Sequence, residues 1–191
     1  MPPHPPLTTE KLQSSPLDLH RFDNKTALHE TLRALDDLVS SGKVLYLGAS
    51  NFAAWQIARS LGISELHGWA KFVAIQPMYN LVKRQAEVEI LPMAKAEQLG
   101  VFPYSPLGGG LLTGKYGVHP VSLAIAWVSA HPAVCAPIIG ARNTEQLTPA
   151  LDSVDVDITN ELYDALAALA PTPPPATDRN EERSEHNYGS R

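Results

Sequence analysis

Two glycine-containing segments carry the residue types that bind phosphate groups in proteins. Residues 109–115 read GGLLTGK, and residues 140–143 read GARN just before a predicted helix. Glycines let backbone N–H groups approach an anion closely. A helix start offers a positive dipole end, to which Arg142 adds a full charge with bidentate geometry. These segments predict an anion site, although a solvated arginine at a helix start is the alternative for Arg142.

The first of these segments also fits the pattern G-x-x-x-x-G-K of nucleotide triphosphatases. That pattern continues with Ser or Thr, whose hydroxyl holds magnesium, whereas this chain has Tyr116. The triphosphatase interpretation is therefore rejected. What remains is a glycine-rich turn after a strand, where backbone N–H groups can approach a pyrophosphate.

Polar side chains close several apolar runs and form a second group of candidates. They are His20, Ser50, Asn51, Gln76 and Tyr104. A structural role is the alternative for most of them: a surface or core histidine, a helix N-cap for Ser50 and Asn51, or a core tyrosine. Gln76 follows four apolar residues, and a buried amide must find hydrogen-bond partners.

Five β-rich runs must position these side chains. They span residues 17–20, 44–51, 72–80, 101–110 and 136–143, and each ends on polar or glycine-rich residues. Stretches with helical periodicity separate the runs, and alternating β and α segments predict a parallel sheet with its polar strand ends on one face. In (β/α) barrels that face binds ligands.

The predicted helices follow apolar spacing and capping residues. The first has a leucine stripe from Leu28 to Val39 and ends near Gly42, and the second is entered through Ser50 or Asn51. The third spans 85–99 and is kinked or shortened by Pro92. Of the others, one spans 121–129, one starts near Asn143, and one begins at a cap formed by Thr159. Five strands are fewer than the eight of a closed barrel. The chain is therefore either an open doubly wound sheet or a barrel without its first three units.

Composition bounds the class of protein. The 191 residues are 44% hydrophobic, enough for one core, with a proline-rich lead-in over 1–16 and a polar tail over 171–191. A net charge of −5 without a basic block argues against nucleic-acid binding. No targeting or membrane segment is evident. The single cysteine, Cys135, fits a reducing cytoplasm, and its apolar neighbours predict that it is buried.

Several ordered motifs resemble the aldo-keto reductase family over residues 12 to about 170. They are LDLHRFD, GASNF, IQPMYN, PYSPLGGGLLTGKY and PIIGARNTEQL. The resemblance implies a partial (β/α)8 TIM barrel of about five βα units, namely strands 4 to 8 of the family barrel, in a member that lacks the N-terminal part. It also implies that a longer segment is omitted near residues 114–120.

The resemblance assigns a role to each candidate side chain. His20 would hydrogen-bond the substrate carbonyl. Ser50, Asn51 and Gln76 would hold the nicotinamide carboxamide, and Tyr104 would stack on the nicotinamide ring. The remaining expected cofactor contacts are Ser105, Leu107, Gly109, Leu111 and Lys115 in the diphosphate loop, Gly140 and Arg142 at the 2′-phosphate of NADP, and Gln146 at the adenosine. Ala150 stands where many members have an asparagine that contacts the adenine.

The implied activity is NADP-dependent hydride transfer from NADPH to an aldehyde or ketone. In the family a tyrosine, lysine and aspartate supply the proton, and this chain shows no counterpart of those three. The alternatives are a non-catalytic cofactor-binding or subunit-interaction module and a shortened product without a stable fold. An open barrel exposes sheet edges, so we expect self-association or a partner that covers them.

Overall fold

The computed structural model describes residues 17–112 and 120–174, which form a parallel sheet with helices packed on it. The strands are β1 (Leu17–Leu19), β2 (Leu47–Ser50), β3 (Phe72–Gln76) and β4 (Gly100–Val101), in the sheet order β1-β2-β3-β4. The helices are α1 (Leu28–Ser40), α2 (Ala54–His67), α3 (Ile90–Ala96), α4 (Pro120–Ala130), α5 (Thr144–Leu151) and α6 (Asn160–Ala167). The expected parallel α/β architecture is confirmed, and no described helix is long and apolar enough to cross a membrane.

Strand register brings the carboxyl ends of the strands to one edge. Asp18 pairs with Gly48, Gly48 with Ala74, and Ala74 with Gly100, so these residues form one row across the sheet. Two residues further on, Ser50 lies beside Gln76. Because all pairings are parallel, the segments that follow the four strands leave the sheet on the same side.

One face of the sheet holds the hydrophobic core. Ala49, Ile75 and Val101 are buried there, together with Leu32 of α1 and Ile57 of α2. The opposite face carries the row of small residues, and Phe102 beyond β4 is 38% exposed. The ring of Phe102 lies over Gly100, where an added Cβ would be 3.1 Å from Cε2. We refer to this less covered side as the open face.

The fifth predicted strand is not a regular strand. Residues 136–141 run beside β4 with two backbone bonds, from Cys135 N to Val101 O at 2.8 Å and from Ile138 N to Pro103 O at 2.7 Å. In a regular parallel ladder the second donor would be residue 137, but proline has no N–H. The bond therefore moves to Ile138, and the ladder slips by one residue at Pro137.

Two helix predictions also need correction. The stretch 85–99 contains a 3₁₀ turn over Gln85–Glu87 and then α3, with Pro92 in the first turn of α3, where its missing N–H is tolerated. Neither Ser50 nor Asn51 caps α2, because the N-cap is Ala53 and Phe52 separates it from Asn51. The side chain of Gln56 accepts the Ala53 N–H at 2.8 Å.

The predicted helix ends near Gly42, Asn143 and Thr159 are confirmed. Gly42 follows α1 with a φ of +73° and donates its N–H to Val39 O. Asn143 and Thr159 cap α5 and α6 by accepting the N–H groups of Gln146 and Leu162. The prediction that Cys135 is buried is wrong, because the structure leaves it exposed.

A buried polar network joins the β3 end to the last helices. The Tyr79 hydroxyl donates to Glu87 Oε1 at 2.7 Å, and Arg84 binds both carboxylate oxygens of Glu87 at 2.9 Å. Arg84 also donates to Ala167 O at 3.0 Å and lies over the ring of Trp127. Burial, followed by hydrogen bonds with Tyr163 and Glu87, raises the pKa of Tyr79, so its phenol remains a donor.

Removal of Glu87 should destabilise the fold strongly. In Glu87→Ala the Tyr79 hydroxyl and the guanidinium of Arg84, which is 11% exposed, lose their shared acceptor. We expect a loss of about 2–3 kcal/mol, measured by urea unfolding at neutral pH. Glu65→Ala is the matched control, since its bond to Lys71 is exposed and should cost less than about 1 kcal/mol. Equal losses would contradict the role of this network.

Candidate functional site

The side chain of Asn51 connects the ends of three strands. Its Nδ2 donates to His20 O at 2.9 Å and to Ser50 Oγ at 3.1 Å, and its Oδ1 accepts the Tyr104 hydroxyl at 2.7 Å. Asn51 has a φ of +57°, a left-handed conformation that asparagine adopts more easily than most residues. This sharp turn directly after β2 keeps its amide at the edge of the sheet.

Ser50 and Gln76 extend the same set of contacts. The buried Ser50 hydroxyl donates to Gln76 O at 2.9 Å, and Gln76 Nε2 donates to Asp18 Oδ2 at 3.2 Å. The structure therefore brings five predicted site residues to one edge. We call His20, Ser50, Asn51, Gln76 and Tyr104 the strand-end cluster.

Asp18 belongs beside this cluster, although the sequence analysis did not single it out. Partial burial raises the pKa of its carboxyl, against the opposing effect of His20. Gly48 makes room for it, because a Cβ at that position would overlap the Asp18 carboxylate. Side chains alternate between the two faces of a strand, so Asp18 and His20 share one face. This spacing could have identified Asp18 from the sequence.

A pocket of about 240 Å³ adjoins the strand-end cluster. Its apolar residues include Ile57 and Ile75, and its polar lining residues are Asn51, Gln76, Lys83, Gln85 and Tyr104. Amide and hydroxyl groups thus line a partly apolar recess, which suits a flat heterocycle that carries both donors and acceptors.

A larger cleft of about 670 Å³ lies between the glycine-rich turn and the start of α5. Six predicted cofactor contacts line it: Ser105, Leu107, Gly109, Gly140, Arg142 and Gln146. We call it the loop cleft. It lies next to the strand-end cluster, because Tyr104 of the cluster and Ser105 of the cleft are adjacent in the chain.

Hydrogen bonds at the start of α5 use the backbone N–H of Arg142 and leave its guanidinium available to a ligand. Gln146 Oε1 accepts the backbone N–H of Arg142 at 3.1 Å, and Asn143 Oδ1 accepts that of Gln146 at 3.0 Å. Arg142 is exposed and has no ion pair within residues 17–112 and 120–174. Glu145 also lines the cleft, so one carboxylate accompanies the cation.

The outcomes for Leu111, Lys115 and Gln146 differ from one another. Leu111 is 77% exposed and is not among the residues that line the loop cleft. Lys115 lies outside the described residues. Gln146 lines the cleft, but its side-chain oxygen is already used by the Arg142 backbone. Ala150, the position that departs from the family pattern, is buried in the cleft wall.

The chain is similar to known proteins over most of its length. The model of the aldo/keto reductase family matches residues 8–117 and 114–171. An uncharacterised oxidoreductase of Bacillus subtilis is 32% identical over 200 residues, which cover 86% of this chain and 61% of the relative. Versiconal hemiacetal acetate reductase of Aspergillus parasiticus is 30% identical, with 76% of this chain and 54% of the relative covered.

A third relative, aflatoxin B1 aldehyde reductase member 2 of Mus musculus, is 42% identical over 110 residues, which are 56% of this chain and 30% of the relative. The chain belongs to the aldo/keto reductase family, whose fold is the (β/α)8 barrel. It spans little more than half the length of the longest-matched relatives. The two matched segments meet at residues 114–117, where the sequence predicts an omitted segment.

The raised pKa of Asp18 gives a prediction with a defined sign. A carboxyl whose folded-state pKa exceeds its unfolded-state pKa supports folding when protonated, and this support is lost as the pH rises through the folded-state pKa. Asp18→Asn keeps an acceptor for Gln76 without the charge. We therefore expect the variant to be more stable than the parent at pH 7, with the difference vanishing near about pH 3.

The measurement is urea unfolding of both chains across this pH range. Asp23→Asn is the control of opposite sign, because hydrogen bonds from Thr26 and Lys25 lower the pKa of Asp23. That variant should be less stable than the parent at pH 7. An Asp18→Asn difference that is independent of pH would refute the assignment.

Proposed function

We propose that this chain forms the NADPH-binding half of an NADP-dependent aldo-keto reductase that reduces a small aldehyde or ketone. One observation carries the proposal: Tyr104 lines the pocket beside the strand-end cluster, and the next residue, Ser105, lines the loop cleft, so the two recesses are neighbours. A dinucleotide is an elongated ligand with a flat heterocycle at one end and phosphates further along. The order of chemical groups along the site matches that order.

The strand-end cluster fits a nicotinamide carboxamide by its donor set. Among the described contacts, Gln76 uses one of its two amide N–H groups for Asp18, which leaves its second N–H and its carbonyl oxygen for a ligand. The hydroxyl of Tyr104 is held by Asn51, which fixes the ring beside the pocket. A fixed aromatic ring next to amide groups is suited to hold a heterocycle in one orientation.

The loop cleft fits phosphate by its backbone and its charge. Gly108, Gly109 and Gly110 all have positive φ and carry no Cβ, so an anion can approach the backbone of this turn closely. The N–H groups of Gly108 and Gly110 are bonded within the turn, to Ser105 O and Leu107 O. Arg142 supplies a cation at the opposite wall. A second phosphate on the adenosine ribose would use that cation, which supports NADP over NAD.

NADPH would supply the hydride, and the chain would supply position and polarity. His20 follows β1 at the same edge, and its backbone is held by Asn51. In the proposal its imidazole hydrogen-bonds the substrate carbonyl and orients it towards the heterocycle. Because the family's tyrosine, lysine and aspartate have no counterpart in this sequence, we expect cofactor binding by the chain alone and little or no carbonyl reduction.

The test is a titration of the purified chain with NADPH and with NADH, followed by nicotinamide fluorescence. We expect saturable binding that favours NADPH. Arg142→Ala should weaken NADPH binding about ten-fold or more and NADH binding much less, because the lost contact is to the 2′-phosphate. Arg59→Ala is the matched control, since Arg59 is exposed on α2 and lines neither pocket.

Absence of saturable binding by a folded chain would overturn the proposal. Equal losses of NADPH and NADH affinity in Arg142→Ala would refute the assignment of the 2′-phosphate while retaining the dinucleotide site.

A subunit-interaction role is the second candidate, and the open face favours it. β1 pairs only with β2 among the described strands, and Phe102 is partly exposed beside a row of small residues. Exposed apolar sheet faces and unpaired edges promote association.

Sedimentation velocity tests this second candidate. If the open face associates, the chain should sediment as a dimer or larger species, and Phe102→Asp should shift it towards monomer. Leu66→Asp is the control, because Leu66 is 79% exposed on α2, away from the open face. A monomeric parent chain, or the same shift in both variants, would contradict this role.

A further inference from the structure

Asn80 is a buried polar residue that lines neither of the two pockets described above. Only 1% of its surface is exposed. Its Nδ2 donates to Ser105 O at 2.9 Å, and its Oδ1 accepts the Val82 N–H at 3.1 Å. Because the Val82 N–H can meet only the oxygen of the amide, it fixes the orientation in which the nitrogen faces Ser105.

The bonded carbonyl begins the glycine-rich turn. Ser105 O also accepts the N–H of Gly108 at 2.9 Å, so both of its lone pairs have donors. Ser105 has a φ of +56°, which is unfavourable for a serine, and such conformations persist only when the surroundings hold them. Among the described residues, the buried bond from Asn80 is a side-chain contact that holds Ser105 in this conformation.

Side chains of the segment from Asn80 to Val82 also pack against the turn at Gly108. Gly108 has a φ of +59°, and a Cβ there would lie 3.0 Å from Val82 Cγ2 and 3.6 Å from Asn80 Oδ1. Further along, Leu107 O accepts the N–H groups of Gly110 and Leu112, both at 3.1 Å. Backbone hydrogen bonds to Ser105 O and Leu107 O thus form the turn, and Asn80 binds the first of these two oxygens.

We propose that Asn80 is a positioning residue: it sets the conformation of Ser105 and thereby the place of residues 105–110, one wall of the loop cleft. It acts through Ser105 and does not contact a ligand itself. What this wall binds rests on the proposed function, whereas the control of its conformation does not.

Two variants test the inference. Asn80→Asp keeps the shape and the acceptor for Val82, but it replaces the donor to Ser105 by an oxygen. Asn80→Ala removes both bonds without a buried charge, so a failure of the first variant to fold does not prevent the test. Circular dichroism and urea unfolding first establish that each variant is folded.

The readouts are hydrogen exchange of residues 104–112 in the free chain and the Kd for NADPH. We expect faster exchange, confined mainly to this segment, and about a ten-fold rise in Kd, as for one lost buried hydrogen bond. Exchange in α1, which contributes no residue to the loop cleft, serves as the internal control.

A rescue experiment separates positioning from general stabilisation. Ser105→Gly lowers the cost of positive φ, whereas Ser105→Ala removes the same hydroxyl and keeps the Cβ. In the Asn80→Ala background, we expect Ser105→Gly to restore slow exchange and part of the NADPH affinity, and Ser105→Ala to restore neither.

Parent-like exchange in residues 104–112 and parent-like Kd in both Asn80 variants would overturn the inference. Equal effects of Ser105→Gly and Ser105→Ala would overturn it as well. If the parent chain does not bind NADPH, the proposed function fails, and the exchange data alone still decide whether Asn80 sets the loop.

Discussion

The amide of Asn51 makes three hydrogen bonds on which the geometry of the site depends. They reach the backbone after β1, the hydroxyl at the end of β2 and the phenol beyond β4. No single strand contributes enough polar groups for a binding site. One side chain in a left-handed turn links the ends of these strands, so that residues distant in sequence act together.

The conformation of the glycine-rich turn depends on a second set of hydrogen bonds, made by buried residues after β3. Tyr79 and Asn80 lie three and four residues after the end of β3, and both are buried. Tyr79 joins the Glu87 network that reaches α6, while Asn80 holds Ser105. One short segment therefore connects the packing of the last helix with the conformation of the loop cleft. The buried polar groups in this segment are satisfied, as a rigid site requires.

Features set by neighbouring residues could be predicted from the sequence, and features set by distant contacts could not. Apolar runs and capping residues predicted four strands, a helix start near Asn143 and the cap at Thr159, because their causes are local. The slip at Pro137 was not predicted, since it becomes visible only when the ladder with β4 is known. The helix cap, one of two interpretations of Asn51 from the sequence, is wrong, because long-range bonds hold its side chain at the edge of the sheet.

The most direct test of the central claim, that one dinucleotide site runs from the strand-end cluster through the loop cleft, is to map NADPH contacts by NMR on an isotopically labelled chain. The account predicts that the side-chain amide of Gln76 and the backbone amides of Gly109, Gly140 and Arg142 shift together along one binding curve. Shifts confined to one end of the site, or shifts elsewhere on the protein with these four unchanged, would contradict it.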